Sequence, residues 1–165
     1  MKTMLVVYRI LTFLLLPIAA LMGFIDISLV LMALANPAAL LPVFAITCIV
    51  IYVFTSLSFL TKGVLGGRQC KPSLRDWIRV NAFVSIAFSG LGVIEYVTLM
   101  GNKTAAGQVV KQAMQQQAIP AGMTAPQLEQ ILLSFLFIFF VFSVVLIIHI
   151  LMTFRLLKQF DYLFK

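Results

Sequence analysis

The stretch Trp77–Met100, WIRVNAFVSIAFSGLGVIEYVTLM, is apolar over about one membrane thickness and carries a single acidic residue, Glu95. A bilayer core of about 30 Å is crossed by roughly 20 apolar residues in an α-helix. The preceding run, residues 62–79, contains five lysines and arginines against one acidic residue, Asp76. The stretch therefore predicts a membrane-spanning helix, and the basic run predicts the direction in which that helix crosses.

The composition of the whole chain agrees with this assignment. Of the 165 residues, 62% are hydrophobic and 10% are charged, and the mean hydropathy is +1.11. Soluble domains are about 45–50% apolar and about 25% charged, and a soluble chain of this size could not keep so much apolar surface from water. We therefore expect an all-α, polytopic helical membrane protein that forms a single integral membrane domain over residues 1–165 and has the lipid bilayer as its first partner.

Four apolar segments reach spanning length. They predict transmembrane helices at about residues 9–26, 40–61, 78–100 and 130–154. A secretory signal peptide is the competing interpretation of the first segment. Its cleavage site is poor, because more apolar sequence follows Ala19 and Ala20, so we favour a retained helix. Asp26 then marks the end of this span, where its carboxylate reaches the headgroups.

Residues 27–37 are too short to span a membrane, and they either extend the first helix or form a re-entrant piece. Asn36 followed by Pro37 predicts the start of the second helix, and Pro42 offers a second possible start. Lys62 with Gly63 predicts its end, because glycine commonly follows the last helical turn. Residues 155–165 are predicted to continue the fourth helix along the membrane interface.

The distribution of basic residues predicts the orientation. Ten of the 12 lysines and arginines fall on one side of the four spans, and only Lys103 and Lys111 fall on the other. The positive-inside rule then places both termini in the cytoplasm, and we expect the cell membrane, in particular a bacterial inner membrane. This topology already explains the net charge of +7, so we expect no nucleic-acid partner. On the outer side, residues 104–118 predict a short amphipathic helix between spans three and four.

The third span carries the candidate intramembrane polar residues Asn81, Ser85 and Glu95, which share one helix face. One interpretation of Glu95 is a proton- or ion-responsive carboxylate. The other is a carboxyl that is neutral and hydrogen-bonded between helices, or solvated near the interface. Ser85, Ser89 and Gly92 are small, and they predict a packing interface for a neighbouring helix.

His149 is the only histidine, and it lies near the cytoplasmic end of the fourth span. We expect Thr55 or Ser56 of the second span and Ser85 of the third span as its partners. No acidic residue or cysteine stands at ligand spacing from it, so we expect no metal and no cofactor.

The two cysteines differ in their surroundings. Cys48 lies within the second span and is interpreted as inert packing. Cys70 lies among the cations Arg68, Lys71 and Arg75, which predict a lowered thiol pKa and a reactive side chain. Palmitoylation of Cys70 in a suitable host and an ordinary reduced thiol are the alternatives.

No converging catalytic cluster is present, so the sequence favours a membrane protein without enzymatic activity. The leading interpretation is an accessory or assembly subunit that acts through lateral helix packing, either with a membrane protein partner or in a homo-oligomer. The alternative is a small oligomeric transporter or channel with Glu95 on its pathway. A second intramembrane charge and an internal repeat, which many transporters have, are both missing from the sequence pattern.

Overall fold

A computed structural model describes residues 2–102 and 125–164 of the chain. These residues form four long helices, which are α1 (Lys2–Ala35), α2 (Leu40–Ser58), α3 (Pro72–Gly101) and α4 (Ala125–Gln159). Three short helical segments accompany them: a 3-10 turn at Pro37–Ala39, a π-helical continuation of α2 at Phe59–Leu65, and a 3-10 turn at Asp161–Phe164. The described residues contain no β-strand.

Four helical segments are long and apolar enough to cross a membrane, namely Thr3–Ala35, Pro37–Leu65, Pro72–Gly101 and Gln130–Gln159. This confirms the predicted all-α class with four membrane-spanning helices. The helices exceed the predicted spans: α1 has 34 residues, which is about 51 Å at roughly 1.5 Å per residue. The predicted outer amphipathic helix at residues 104–118 lies outside the described residues.

Helix α1 extends to Ala35, so residues 27–35 continue the first helix and do not form a re-entrant piece. Asp26 consequently lies inside a helix, not at the end of one. Asn36 stops α1 and begins the next element, because its side-chain Oδ1 accepts a hydrogen bond from the Ala38 amide at 3.1 Å. The predicted Asn36 cap with Pro37 in the first turn is confirmed.

The predicted end of the second helix at Lys62 and Gly63 is wrong. Helical structure continues to Leu65, and the chain turns at Gly66 and at Gly67, whose φ is +59°. Gly63 is buried, and a Cβ atom there would lie 3.1 Å from the Cys70 Sγ. Gly63 thus permits a close approach between segments, and Gly67 supplies the left-handed turn.

The chain folds into two compact units. The first unit, called the hairpin unit below, comprises the described residues up to Phe88 together with those from Val145 onward. Within it α1 and α2 pack most closely, as an antiparallel pair. Gly23 permits this approach, since a Cβ there would lie 3.3 Å from Val50 Cγ1. In lipid, close packing of this kind stabilises helix pairs, because burial from water is not available as a driving force.

One face of α1 is buried along its whole length. Its members recur at helical spacing, and they are Tyr8, Thr12, Leu15, Ala19, Asp26 and Ala33. Most of the remaining large side chains of α1, such as Phe24 at 76% and Leu34 at 77%, are exposed on the chain surface. That distribution suits a helix whose outer face meets lipid.

The C-terminal 3-10 turn of the hairpin unit packs under the loop between α2 and α3. Leu163 and Phe164 are each 5% exposed, and the Cys70 amide donates to the Leu163 carbonyl at 2.7 Å. The Phe164 ring stacks on Phe59 with 5.6 Å between centroids. The prediction that residues 155–165 continue α4 is therefore correct as far as Gln159 and wrong beyond it, because the apolar side chains of the C-terminal turn are buried against the loop.

The second unit comprises the described part of Ser89–Val144 and contains the later half of α3 and the earlier part of α4. Tyr96 of α3 stacks on Phe140 of α4 with 4.5 Å between ring centroids. A Cβ atom at Gly92 would lie only 2.5 Å from Phe139 Cε1. Gly92 thus makes room for an aromatic ring of the same chain.

We expect Gly92→Leu to lower the thermal unfolding temperature of the purified protein by several degrees, because the new side chain displaces the Phe139 ring. Gly90→Leu is the matched control, since a Cβ at Gly90 meets no atom within 4 Å. Adding Phe139→Ala to Gly92→Leu should recover part of the loss. Equal melting temperatures for the Gly90 and Gly92 variants would contradict this packing.

Candidate functional site

Five polar side chains from three helices meet in the interior of the hairpin unit and are called the histidine cluster below. They are His149 and Thr153 of α4, Tyr8 and Thr12 of α1, and Tyr52 of α2, and each is 0% exposed. Positions four residues apart lie on the same helix face. Tyr8 with Thr12, and His149 with Thr153, therefore each present two polar groups to one point.

Both ring nitrogens of His149 have a hydroxyl partner. Nε2 lies 2.9 Å from Thr12 Oγ1, and Nδ1 lies 2.7 Å from the Tyr52 hydroxyl. The Tyr8 ring stacks on the imidazole, with 4.7 Å between centroids and 9° between planes. The imidazole is thereby held by α1 on one side and by α2 on the other.

One tautomer of His149 fits the hydrogen bonds at both ring nitrogens. The Thr12 hydroxyl donates its single proton to the Tyr8 carbonyl at 2.8 Å, so His149 Nε2–H donates to Thr12 and Nδ1 accepts from Tyr52. Thr153 Oγ1 lies 2.7 Å from the Tyr52 hydroxyl, 3.3 Å from the Tyr8 hydroxyl and 2.9 Å from the His149 carbonyl. Its single proton can be donated to only one of these three oxygens at a time.

A buried polar network of this kind joins the helices that contribute to it. In a membrane an interhelical hydrogen bond contributes about 0.6 kcal/mol on average, so the several bonds of the histidine cluster together fix how α4 sits on α1 and α2. Within residues 2–102 and 125–164, no group of three His, Cys, Asp or Glu side chains is placed to hold a metal ion. The chemistry that this geometry supports is positioning of helices.

The predicted partners of His149 are wrong. Thr55 donates to the Ile51 carbonyl at 2.7 Å, Ser56 to Val53 at 2.9 Å, and Ser85 to Asn81 at 2.7 Å. Short hydroxyl side chains in a helix reach the carbonyl of the preceding turn. The longer Tyr52 side chain reaches across to α4. The signal in the sequence was the pairing of polar residues at i and i+4, Tyr8 with Thr12 and His149 with Thr153.

The third-span residues occupy different environments. Glu95 is exposed on the surface of α3, whereas Asn81 is 3% exposed and donates to the Trp77 carbonyl at 2.8 Å. Ser85 and Ser89 are buried, and Ser89 Oγ makes no hydrogen bond to any described residue. Together with the ring above Gly92, these contacts place the predicted small-residue stripe against neighbours within this chain.

Asp26 is a buried acidic residue that sequence reasoning missed, because it was assigned to the end of the first span. It is 7% exposed, and Thr47 of α2 donates to its Oδ2 at 2.5 Å. Its Oδ1 is buried and makes no hydrogen bond to the described residues. The signal was the apolar sequence that continues past Asp26 to Ala35.

Cys70 does not have the lowered pKa that its basic neighbours predict. Burial raises the pKa of the Cys70 thiol, and the nearby Lys62 ammonium offsets only part of that rise. A raised pKa leaves less thiolate at neutral pH, and the thiolate is the nucleophile. The direction of this pKa favours the interpretation of Cys70 as an ordinary reduced thiol.

We expect Tyr52→Phe to lower the free energy of unfolding by about 1–3 kcal/mol, because it leaves buried His149 Nδ1 without a hydrogen-bond donor. Tyr162→Phe, which removes a hydroxyl from a 59% exposed residue, is the control and should change little. Combining Tyr52→Phe with His149→Leu in a double-mutant cycle should reveal coupling. Strict additivity would show that the two side chains do not interact.

We expect maleimide to label Cys70 slowly at pH 7 and faster as the pH rises, measured by intact mass in a Cys48→Ala background. Lys62→Gln should slow labelling further, since it removes the cation that lowers the pKa of this thiol. Lys71→Gln, which removes the adjacent charge, should have little effect. If Cys70 were labelled faster at pH 7 than a free cysteine, the hypothesis that Cys70 is a reactive thiol would be supported instead.

Comparison with known proteins gives no assignment for this chain. No protein-family model, no curated protein and no solved structure matches it.

Proposed function

We propose that this chain is a small multi-pass membrane protein without enzymatic activity, an accessory or assembly subunit that acts by lateral helix packing. The observation that carries the proposal is the position of Glu95. Its side chain is exposed on a membrane-spanning helix, beside Leu91, Ile94 and Val97, which are 65%, 64% and 59% exposed.

An acidic side chain on such a surface is unfavourable in lipid alone. Acidic residues in membrane helices cost about 2.5–3.5 kcal/mol at the helix centre, and they usually face protein or water. Glu95 stands six residues before the end of α3 at Gly101, or about 9 Å at roughly 1.5 Å per residue. A partner helix that carries a basic or hydrogen-bonding side chain at this depth would offset this free-energy cost. Glu95 would then select which helix binds.

The polar and small residues in the interior of the chain also support the proposal that a partner binds near Glu95. The histidine cluster pairs its side chains with one another, and Phe139 packs against Gly92. These contacts use the polar and small residues for the chain's own fold. A partner would therefore bind the exposed surface that carries Glu95.

The topology forms part of the proposal. Both termini face the cytoplasm of a bacterial cell, the protein resides in the inner membrane, and residues 104–118 form an amphipathic helix on the outer side. The asymmetric distribution of lysine and arginine supports this orientation, and the spacing of alanine and valine against glutamine supports the amphipathic helix.

A small oligomeric transporter or channel that uses Glu95 is the second candidate, and one observation favours it. Asp26 is a buried acidic residue within a membrane-spanning helix, and one of its oxygens makes no hydrogen bond to the described residues. Buried carboxylates in membranes often belong to ion or proton pathways.

The test is quantitative mass spectrometry of the full chain purified gently from native membranes. We expect a partner at fixed stoichiometry with the wild type, and at least a tenfold loss of it with Glu95→Leu, because the variant removes the polar group that the partner recognises. Thr98→Leu is the control. It removes another exposed polar group of α3, one that already donates to the Ile94 carbonyl at 2.8 Å.

Retention of the partner by Glu95→Leu would contradict recognition through Glu95. The alternative outcome is a homogeneous homo-oligomer without a partner. If Glu95→Gln abolished its ion flux in liposomes, the protein would be a transporter or channel and not an accessory subunit. Loss of flux with Asp26→Asn in the same assay would place the buried carboxylate on that pathway.

A further inference from the structure

A cleft of about 510 Å³ opens at the loop end of the hairpin unit, between the start of α3 and the end of α4. It is called the interfacial cleft below. Its lining residues are Arg79, Phe83, Phe154, Leu157, Lys158 and Asp161. This volume lies within the range of about 300–1,000 Å³ that is usual for small-molecule sites in proteins.

The lining of the interfacial cleft is arranged in two tiers. Arg79 and Phe83 are four residues apart on α3, and Phe154 and Lys158 are four residues apart on α4. Because the two helices run in opposite directions here, both cations lie nearer the helix ends and both rings lie about one turn deeper, roughly 6 Å. The rings of Phe83 and Phe154 meet with 5.5 Å between centroids and 38° between planes.

The charge of the upper tier is positive. Asp161 also lines the interfacial cleft, but its Oδ1 lies 2.6 Å from Arg75 Nη1, the only ion pair found within the described residues. Arg75 also places its guanidinium carbon 5.8 Å from the centre of the Phe164 ring. The Asp161 charge is thus neutralised by Arg75, and Arg79 and Lys158 remain to attract an anion.

We propose that the interfacial cleft binds an anionic phospholipid, with the headgroup phosphate between Arg79 and Lys158 and an acyl chain against Phe83 and Phe154. A cationic tier above an aromatic tier matches the order of groups in such a lipid at the membrane surface. Free phosphate would use the upper tier alone. Zwitterionic lipid would bring a quaternary ammonium towards two cations, so the site selects a headgroup with net negative charge.

The orientation of the chain does not by itself account for this arrangement. The positive-inside rule explains an excess of basic residues at one end of the helices, and it does not require that two of them flank one cleft. Arg68 and Arg155 belong to the same end, are exposed and do not line the interfacial cleft. They supply a matched comparison.

The experiment is lipid titration of the full-length, detergent-solubilised protein by native mass spectrometry, with phosphatidylglycerol, phosphatidylcholine and inorganic phosphate as separate probes. The wild type should bind phosphatidylglycerol at least tenfold more tightly than phosphatidylcholine. Arg79→Gln with Lys158→Gln should weaken binding of phosphatidylglycerol by about tenfold or more, since each cation near an anionic headgroup contributes to affinity. Arg68→Gln with Arg155→Gln, which removes the same charge, should weaken it less than about threefold.

The lower tier is tested separately. Phe83→Ala should weaken phosphatidylglycerol binding several-fold without changing the weak binding of phosphate. Should the Arg79 and Lys158 double variant fail to fold, Lys158→Gln against Arg155→Gln makes the same comparison on one helix. Any one of three results would overturn the proposal. The two charge-matched variants could lose equal affinity for phosphatidylglycerol, the two lipids could bind equally tightly, or phosphate could bind as tightly as phosphatidylglycerol.

Discussion

An imidazole inside a membrane-spanning helix has two polar ring nitrogens, and lipid offers a hydrogen-bond partner to neither of them. In this chain Thr12 satisfies Nε2 of His149, and Tyr52 satisfies Nδ1. The two partners belong to α1 and α2, so the requirement is met only when α4 lies against both. In a bilayer, burial from water is not available, so side-chain hydrogen bonds of this kind act together with close packing to distinguish one arrangement of apolar helices from another.

At the loop end of the hairpin unit, polar groups of the loop are likewise paired with groups of the C-terminal turn. The π-helical continuation of α2 brings Gly63 next to Cys70, and the loop amide of Cys70 then donates to the carbonyl of Leu163. The C-terminal turn is anchored further by the ion pair between Arg75 and Asp161. With Asp161 paired to Arg75, Arg79 and Lys158 line the interfacial cleft and form no ion pair with a described residue.

The acidic residues divide between interior and surface in a way that bears on function. Asp26 is buried between α1 and α2 with Thr47 as its partner, whereas Glu95 is exposed on α3 among apolar side chains. An exposed carboxyl in a membrane helix is stabilised by protein or water outside the chain. This contrast underlies the proposal that Glu95 meets a partner helix.

The sequence by itself determined the class, the number of spanning helices and the Asn36 cap, because apolar length and local capping are properties of adjacent residues. It did not determine where the helices end at Ala35 and Leu65, since Asp26 and Gly63 look like boundaries until their tertiary neighbours are known. Only the tertiary structure decided that His149 pairs with Thr12 and Tyr52, and that Phe139 fills the space above Gly92. Those contacts join residues far apart in the chain, and their choice depends on side-chain reach across packed helices, which periodicity along a single helix does not encode.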